Sequence, residues 1–399
     1  MSLRILQSFP HKIGAGRICT TAWYQAAGVA AAGGELMVMT GAVQRPLPPG
    51  IHVKTTLARG RWRIPYRALG ERALTLHDHV VARSLPDLAD QIDLIHVWPL
   101  GALKTLQTAR RLGIPTILER PNAHTRFAYQ AVAQECERIG VRLPANHEHA
   151  YNAERLRKEE AEYRLADRLL CPSEFVVQTF RHEGFPAHQL ARHTYGYDER
   201  LFYADTRPAN RDGGLRVLFA GVCAVRKGLH FALDAWLRSS ASRRGRFRIA
   251  GGFVPEYQTK LADALAHPSV EMLGHCDDVP ALMRESDVLV LPSIEEGFGL
   301  VVVEAMASGC VPLISDACTE VVENDRTGYI HHVGDVEALS QQLTLLDQAR
   351  DRLATLRSAC LGSAAEHTWS AAGHRLLSVY EEATEQLSRA TPRGRLRAA

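Results

Sequence analysis

Glu296 and Glu304, together with the glycines around them, lie in a segment whose residue types and spacing could bind an anion and hydroxyl groups. An apolar run over Val288–Pro292 predicts a buried strand, and a loop with two glycines leads from it into a helix over Leu300–Ser308. Backbone N–H groups at a helix start lack intrahelical partners and bind anions, whereas carboxylates accept hydrogen bonds from hydroxyl groups. The segment therefore predicts a phosphate site with a carboxylate on each side; the alternative is an ordinary turn with two solvated glutamates.

A second turn, Gly221–Gly228, places two adjacent cations before another helix, Leu229–Leu237. The helix dipole disfavours positive charge at that end, so Arg226 and Lys227 need a compensating anion there. A diphosphate would supply it, because the arginine fork binds two oxygens and the lysine acts as a point charge. The alternative is a pair of solvated surface cations.

Strands alternate with helices along the whole chain, which predicts an α/β fold built from βαβ units around parallel sheets. The predicted strands are Leu3–Ser8, Glu35–Thr40, Asp93–Trp98, Thr116–Leu118, Leu169–Cys171, Arg216–Gly221, Phe247–Gly251, Val288–Pro292 and Val311–Ser315. The predicted helices include Ala102–Leu112, Leu229–Leu237, Glu256–Leu265, Val279–Glu285, Leu300–Ser308 and Arg350–Leu387, with Ser173 and Asp278 as helix caps. A turn is expected over His11–Gly16.

The polar, turn-rich segment Asp205–Gly214 predicts a linker, after which the strand–helix pattern begins again. We therefore expect two doubly wound, Rossmann-like domains that face each other across a cleft. Their expected bounds are 1–204, which would bind the acceptor, and 205–375, which would bind the donor. Residues 376–399 are expected to be a helix end and a basic, disordered tail. Ligands of such sheets lie beyond the carboxyl ends of the strands.

Composition sets the outer limits on function. The chain has 399 residues and a formal net charge of +3, which is too mild to indicate a nucleic-acid partner. No apolar run reaches the roughly 18 residues of a membrane-spanning helix, and Pro10 interrupts the start too early for a signal peptide. The eight cysteines are dispersed without zinc spacing. We expect reduced cysteines, no metal, and a cytoplasmic protein.

The two glycine turns together resemble the retaining GT-B glycosyltransferases, specifically glycosyltransferase family 4 (glycosyl transferases group 1). That family has an EGFG…E signature, matched by Glu296 and Glu304, and a G-x-x-x-x-[RK]-K-G turn, matched by Gly221–Gly228. The resemblance covers most of residues 165–345 and is looser over 1–165. It continues through Ser173–Phe175, Gly196–Asp198, Phe202, Asp287–Ser293, Ser308–Pro312, Glu320–Gly328 and Gly334–Asp335.

The resemblance implies roles for the donor-side residues. Arg226 and Lys227 would hold the donor diphosphate, Glu296 would bind hydroxyls of the transferred sugar, and Glu304 would bind the nucleotide ribose. Backbone groups of the donor loop would assist on the phosphate or sugar; they belong to Gly297, Phe298, Gly299 and Leu300.

On the N-terminal side, the resemblance implies a glycine loop, Gly14 and Gly16, that closes on the diphosphate. Many relatives also have a histidine after the strand Thr116–Leu118, and this histidine contacts the reacting sugar. Here Arg120 occupies roughly that position and His124 follows four residues later. Both residues are therefore candidates for the sugar contact.

The implied activity is transfer of a sugar from a nucleoside diphosphate sugar to an acceptor hydroxyl, with retention, in polysaccharide or glycoconjugate assembly. The acceptor would be a glycan, a lipid-linked sugar or a small molecule, and no metal is required if donors and cations stabilise the departing diphosphate. Two alternatives share the architecture: a sugar-nucleotide 2-epimerase and a non-catalytic subunit. The presence of Glu296 and Lys227 counts against the subunit.

Two charged stretches lie outside these motifs. Lys54–Arg72 interleaves six basic residues with aromatic ones, which suits the inner face of an anionic membrane or an acidic acceptor, or is simply a structural loop. The charged helix around Arg157–Arg164 is expected to be a solvated face with i,i+4 ion pairs.

Overall fold

The chain folds into two parallel α/β domains. The computed structural model describes residues 2–59, 62–63, 70, 72–205 and 213–390, and the structural statements below refer to those residues. In the N-terminal domain, seven described strands form one parallel sheet in the order β3-β2-β1-β6-β7-β8-β9. Its strands are β1 (Arg4–Ile13), β2 (Glu35–Val43), β3 (His52–Thr55), β6 (Leu94–Val97), β7 (Thr116–Glu119), β8 (Arg168–Cys171) and β9 (Leu190–Arg192), and β4 (Ala58–Arg59) pairs antiparallel with β5 (Trp62–Arg63).

The C-terminal sheet has the strand order β12-β11-β10-β13-β14-β15. Its strands are β10 (Arg216–Ala220), β11 (Arg246–Ala250), β12 (Val270–Gly274), β13 (Val288–Leu291), β14 (Val311–Ser315) and β15 (Tyr329–His331). Counted within the domain, this order is 3-2-1-4-5-6, the Rossmann arrangement. From β10 the chain adds strands towards one edge of the sheet, and from β13 it adds them towards the other edge. The gap between β10 and β13 is therefore the topological switch point, where such sheets bind ligands. The two doubly wound domains of the GT-B fold are therefore confirmed.

Helices cover both faces of each sheet. The N-terminal helices are α1 (Ile18–Ala31), α2 (Arg72–Leu88), α3 (Leu103–Leu112), α4 (Thr125–Ile139), α5 (Ala153–Leu165) and α6 (Glu174–His182). The later ones are α7 (Leu229–Arg238), α8 (Pro255–Lys260), α9 (Ala262–Leu265), α10 (Val279–Glu285), α11 (Leu300–Ala307), α12 (Val336–Gln348), α13 (Arg350–Ala364) and α14 (Trp369–Ala390). Along β1, Leu6 joins one apolar cluster, whereas Ile5 and Phe9 join another on the opposite face. This alternation is expected of a strand buried on both sides.

Both predicted helix caps are confirmed. The Ser173 side chain accepts a hydrogen bond from the Val176 amide at 3.2 Å, and Asp278 accepts one from the Ala281 amide at 2.9 Å. Each cap satisfies an amide that the first helical turn leaves unpaired. Asp278 therefore starts α10 as a structural residue.

Several predicted element bounds were wrong. The turn expected from His11 begins later, because β1 stays paired with β2 as far as Ile13. The single helix predicted over Glu256–Leu265 is two short helices that meet at Leu261. The helical character predicted for Arg350–Leu387 is confirmed, and the stretch is divided into α13 and α14.

The C-terminal helix α14 packs against the N-terminal domain. Its side chains Leu376 and Tyr380 belong to the apolar cluster of that domain's sheet. Its backbone meets α1 closely, since a Cβ atom added to Gly373 would lie 2.4 Å from the carbonyl carbon of Gly28. The boundary expected at 375/376 therefore falls inside one continuous helix that ties the end of the chain to its beginning.

The prediction of a solvated face on α5 was wrong, although the predicted i,i+4 ion pairs are present, between Arg155 and Glu159 and between Glu160 and Arg164. Glu159, Glu160 and Glu162 are all at most 9% exposed. Glu162 accepts hydrogen bonds from the amides of Leu100 at 2.7 Å and Ala102 at 3.1 Å, next to the start of α3. Burial raises the pKa of Glu162 to about 8. These carboxylates are internal because α5 packs between neighbouring elements. The buried carboxylates accept hydrogen bonds from polar groups of those elements.

Three predictions fall wholly or partly outside the described residues. They concern positions 206–212 of the expected linker, nearly half of the basic stretch Lys54–Arg72, and positions 391–399 of the tail. Within the described part of the chain, no helix combines the length and apolar character needed to cross a membrane.

Candidate active site

The turn after β10 and the loop after β13 meet at the switch point of the C-terminal sheet. Arg226 and Lys227 occupy a single 3₁₀ turn directly before α7. Gly228 ends this turn with φ of 66°, and a Cβ atom there would lie 1.9 Å from the carbonyl oxygen of Pro292. A glycine is therefore required, both for the left-handed backbone and for the close approach of the two loops.

Glu296 is buried against both cations. Its carboxylate forms an ion pair with Lys227 and lies 3.4 Å from Nη1 of Arg226. Ser293 Oγ donates to the same carboxylate at 3.3 Å. Burial opposes ionisation of Glu296, but Lys227 and Arg226 outweigh it and hold its pKa at about 2. The cluster therefore stays ionised at neutral pH, and an anion that binds the cations must compete with Glu296.

The donor loop presents a helix start beside this cluster. Gly299 has φ of 71° and immediately precedes Leu300, the first residue of α11. The first amides of a helix lack intrahelical acceptors and favour an anion. Gly297 is pressed against the N-terminal domain, since a Cβ atom there would lie 1.7 Å from the Pro121 carbonyl oxygen. Phe298 is buried between these glycines. The structure thus brings the predicted loop residues to one edge of the cleft.

Glu304 lies in a different environment from Glu296. It lines a cavity of about 210 Å³ that both domains enclose, with Arg17 and Tyr24 on the N-terminal side. Burial raises the pKa of Glu304 to about 7. Lys227 and Glu296 do not line this cavity. The two glutamates therefore face different parts of the cleft.

The N-terminal glycine loop borders the same cavity. Gly14 and Gly16 have φ of 78° and 89°, and Arg17, which follows them, lines the cavity. A Cβ atom at Gly14 would lie 2.5 Å from Cβ of Arg45, whereas Gly16 faces open space. Only Gly14 is therefore required by packing as well as by backbone conformation.

Arg120 and His124 occupy unlike positions. Arg120 is 3% exposed, stacks 4.4 Å from the ring centroid of Tyr163, and lines a second cavity of about 300 Å³ in the N-terminal domain. His124 does not line that cavity. Its Nδ1 accepts a hydrogen bond from the Arg126 amide at 3.2 Å and caps α4. Burial, reinforced by Arg120, lowers its pKa to about 3. Of the two candidates, Arg120 lines this cavity and His124 does not.

Two residues of this site were missed by the sequence analysis. Glu295 is fully buried, and its Oε1 lies 3.0 Å from Nε2 of His149 and 3.3 Å from Nη1 of Arg226. Glu295 stands beside the recognised signature, so the motif could have indicated it. His149 lies in an aperiodic loop and meets a partner 146 residues away, so nothing local in the sequence marked it.

Among the residues that the structure describes, no three histidine, cysteine or acidic side chains lie close enough together to hold a metal ion. That the protein needs no metal stays a prediction.

We expect His124→Asn to retain near-wild-type turnover, because asparagine also caps helices. His124→Ala should instead lower the free energy of unfolding by about 1 kcal/mol, the typical cost of a lost N-cap. Urea unfolding and steady-state kinetics on both variants check this. A folded His124→Asn variant with turnover reduced 100-fold or more would place His124 at the reacting sugar.

Glu304 should leave a pH signature in the stability of the protein. Because burial raises the pKa of Glu304 from its ordinary value of 4.5 to about 7 in the folded protein, the native state holds its proton more tightly. The contribution to stability is therefore complete below about pH 4.5 and is lost as pH rises towards 7. Relative to Glu304→Gln, the wild-type free energy of unfolding should fall by roughly 2–3 kcal/mol across that window. A difference that does not change with pH would show that the pKa is not raised.

Comparison with known proteins agrees with this arrangement. Residues 214–348 match the family model described as Glycosyl transferases group 1. The phosphatidyl-myo-inositol mannosyltransferase of Mycobacterium leprae (strain TN) is 34% identical over 178 residues, which cover 42% of this chain and 46% of that protein. The chain spans about half the length of the curated relatives it matches.

Several solved structures match nearly the whole chain, among them the following two. Sucrose-phosphate synthase from Thermosynechococcus elongatus has a TM-score of 0.70 at 19% identity and covers 98% of this chain and 100% of its own. HepE of Anabaena in complex with UDP has a TM-score of 0.65 at 17% identity, with 96% and 100% covered. At these identities the likeness shows the fold. Residues 214–348 of this chain are therefore similar to the Glycosyl transferases group 1 family, and the chain as a whole has the two-domain GT-B fold.

Proposed function

We propose that this chain is a glycosyltransferase that moves a sugar from a nucleoside diphosphate sugar to an acceptor hydroxyl, with retention at the anomeric carbon. The observation that carries the proposal is the buried cluster of Arg226, Lys227 and Glu296 at the switch point, beside the start of α11. Two cations and a helix start suit a diphosphate, and a carboxylate suits sugar hydroxyls. The family match and the UDP complex of HepE support this proposal.

The cluster suggests how the chemical step is assisted. As the glycosidic bond breaks, negative charge gathers on the departing diphosphate, and fixed cations aimed at that charge lower the barrier. Arg226 and Lys227 would supply this charge. When the diphosphate draws the cations towards itself, the Glu296 carboxylate becomes free to accept hydrogen bonds from the transferred sugar. Because the protein supplies the positive charge, we propose that no metal is needed.

We assign the nucleoside end of the donor to the cavity of about 210 Å³ that both domains enclose. Glu304 lines it beside Leu300, so a diphosphate at the start of α11 would extend directly into it. The aromatic ring of Tyr24 and the carboxylate of Asp198 line the same cavity. A ribose offers two neighbouring hydroxyls, which suits a carboxylate acceptor. We therefore propose that Glu304 binds the ribose.

The acceptor is proposed to be a glycan, a lipid-linked sugar or a small molecule. The name of the Mycobacterium leprae relative contains a lipid, phosphatidyl-myo-inositol, which supports the lipid-linked alternative. We propose a cytoplasmic enzyme with peripheral contact at the inner membrane face. The basic stretch Lys54–Arg72 is the sequence feature behind that contact.

The proposal is tested by NMR observation of the anomeric proton during turnover. The protein is incubated with UDP-, GDP- and ADP-sugars, with and without a mixture of methyl glycosides, in excess EDTA. We expect one donor to be consumed in the presence of an acceptor and the product to keep the donor's anomeric configuration. A donor inverted at C2 without any acceptor would show the 2-epimerase instead. Activity that requires added Mn²⁺ would contradict the metal-free mechanism.

A further inference from the structure

Glu295 is a buried charge of the donor site that takes no part in the chemistry proposed above. It follows β13, immediately precedes Glu296, and is 0% exposed. Taking a carboxylate out of water is costly unless cations and hydrogen-bond donors compensate it. Because the side chain is sealed from the surface, a ligand in the cleft cannot touch it. Any contribution of Glu295 to the reaction must therefore act through its neighbours.

The guanidinium of Arg226 is the first of these neighbours. Its Nη1 donates to the backbone carbonyl of Glu295 at 3.1 Å and lies 3.3 Å from the carboxylate Oε1 of the same residue. The contact between Arg226 and Glu296 is longer, at 3.4 Å. The Ile294 amide donates to the Arg226 carbonyl at 2.8 Å, so both the backbone and the side chain of Arg226 are tied to the donor loop. Glu295 therefore fixes the direction of this guanidinium, whereas Lys227 pairs with Glu296.

The second neighbour comes from the other domain. Nε2 of His149 lies 3.0 Å from the same Oε1 atom of Glu295. Since an ionised carboxylate only accepts hydrogen bonds, Nε2 carries the hydrogen. His149 lies in the segment 140–152 between α4 and α5, where its amide donates to Nδ1 of His147 at 3.1 Å and the Ala150 amide donates to the His147 carbonyl at 2.9 Å. This turn of the N-terminal domain holds the imidazole against the donor loop.

The ionisation of Glu295 shows that these two partners outweigh its burial. Burial raises the pKa of Glu295, and the charge of Glu296 raises it further, yet Arg226 and then His149 hold the pKa below its ordinary value. Glu295 is therefore charged at neutral pH and remains a counter-ion of Arg226. Glu296 can then leave the cations for the hydroxyls of a sugar while Arg226 keeps its orientation.

We propose that Glu295 is a positioning residue for sugar transfer: together with His149 of the N-terminal domain, it orients Arg226 towards the donor diphosphate. The assignment rests on the proposed glycosyltransferase function. A cation whose direction is set before the reaction stabilises the charge of the leaving group without a cost of reorganisation. Because His149 belongs to the opposite domain, this orientation depends on contact between the two walls of the cleft.

Glu295→Gln is the first test, because it keeps the shape of the side chain and removes its charge. We expect kcat to fall about 10–100-fold, the scale of loss when a reacting group is slightly misplaced. The affinity for bare UDP, GDP or ADP should not fall, because Arg226 remains and loses a competing carboxylate. Turnover is measured with the sugar nucleotide that the wild-type chain consumes in the NMR assay, and affinity by calorimetric titration. Glu271→Gln, an exposed glutamate on β12, is the matched control and should behave like the wild type.

A double-mutant cycle separates a positioning role from a structural one. Arg226→Ala removes the cation that Glu295 orients, so adding Glu295→Gln to that variant should lower kcat by less than about 3-fold more. Residues that act independently would instead multiply their effects. Urea unfolding of the three variants supplies the structural readout, because a residue that only stabilises the fold would change the unfolding midpoint and leave kcat of the folded protein unchanged.

His149→Gln and His149→Ala test the partner from the N-terminal domain. Glutamine can present an amide N–H in place of the imidazole Nε2, whereas alanine cannot. We expect His149→Ala to lower kcat about 10-fold, as for a lost hydrogen bond to a charged group, and His149→Gln to stay within about 3-fold of the wild type. In the Glu295→Gln background, His149→Ala should have little further effect. His188→Ala, an exposed histidine of the same domain, is the control.

The assignment is overturned by any of three results: a folded Glu295→Gln variant with wild-type kcat, effects of Glu295→Gln and Arg226→Ala that multiply, or a loss in His149→Gln as large as that in His149→Ala. Failure of the proposed function has a different signature. The wild-type chain itself would then bind no nucleotide and consume no sugar nucleotide, which would remove this assignment as well.

Discussion

Lys227→Ala is expected to lower kcat by about 10²–10³-fold, the usual loss when one charge-stabilising group is removed from an active site. Lys227 is the ion-pair partner of Glu296 and lies in the turn that faces the proposed diphosphate. Its removal takes away positive charge where negative charge develops. The donor should still bind through Arg226 and the start of α11, so the loss should appear mainly in kcat.

The structure also predicts a cost in stability for this variant. Glu296 is 6% exposed and, among the described residues, would keep Arg226, at 3.4 Å, as its one cationic partner. Losing one partner of a buried ion pair leaves charge poorly compensated. The combined variant Lys227→Ala/Glu296→Gln should therefore recover stability without recovering turnover.

Lys260→Ala is the matched control, because Lys260 is an exposed cation of the same domain outside the site. It should match the wild type in kcat and in unfolding by urea. A folded Lys227→Ala variant with wild-type turnover would disprove the role of Lys227 at the diphosphate.

Alanine substitutions of the two signature glutamates, Glu296 and Glu304, are expected to have clearly different effects. Glu296→Ala should lower turnover by about 10²-fold, a typical effect of misplacing the reacting group. Its affinity for free nucleoside diphosphate should be unchanged or higher, because Lys227 and Arg226 lose a competing carboxylate. Glu304→Ala should instead weaken the free nucleotide by about 1.5–3 kcal/mol, the contribution of a hydrogen bond to a charged group.

Calorimetric titration of the bare nucleotide into both variants measures this difference. The titration should be carried out at pH 8, because the pKa of Glu304 is about 7 and its carboxylate must be ionised. Glu271→Ala, an exposed glutamate on β12, is the control for loss of one negative charge. Equal losses in both variants would place both carboxylates on the same part of the donor. A reversed pattern would mean that the donor lies in the opposite direction along the cleft.

The donor side of the site could be predicted because its determinants are local in sequence. Gly228 and Gly299 mark the two strand-to-helix turns, and each adopts the left-handed backbone that favours glycine. Once both turns are placed at the carboxyl ends of neighbouring parallel strands, Arg226, Lys227 and Glu296 must converge. Strand alternation likewise predicted both sheets, because buried parallel strands read as short apolar runs.

The N-terminal side of the cleft could not be predicted because long-range packing determines it. The glutamates of α5 look like a solvated helical face, yet Glu159 and Glu162 are buried by partners more than 30 residues away. His149 contacts Glu295 only because the two domains meet. The choice between Arg120 and His124 also depended on which side chain turns towards the cavity, and spacing along the chain does not contain that information.

Thermal unfolding with sugar nucleotides tests the central claim most directly. A ligand that binds only the native state, present at about 100 times its Kd, stabilises the protein by about 2.7 kcal/mol. For the wild-type chain, one family of UDP-, GDP- or ADP-sugars should therefore raise the melting temperature by roughly 5–10 °C. The combined Glu304→Ala/Lys227→Ala variant should show little or no shift at the same concentration. A wild-type protein whose melting temperature responds to none of these nucleotides, or a double variant that responds as strongly as the wild type, would contradict a donor site at the switch point of the C-terminal sheet.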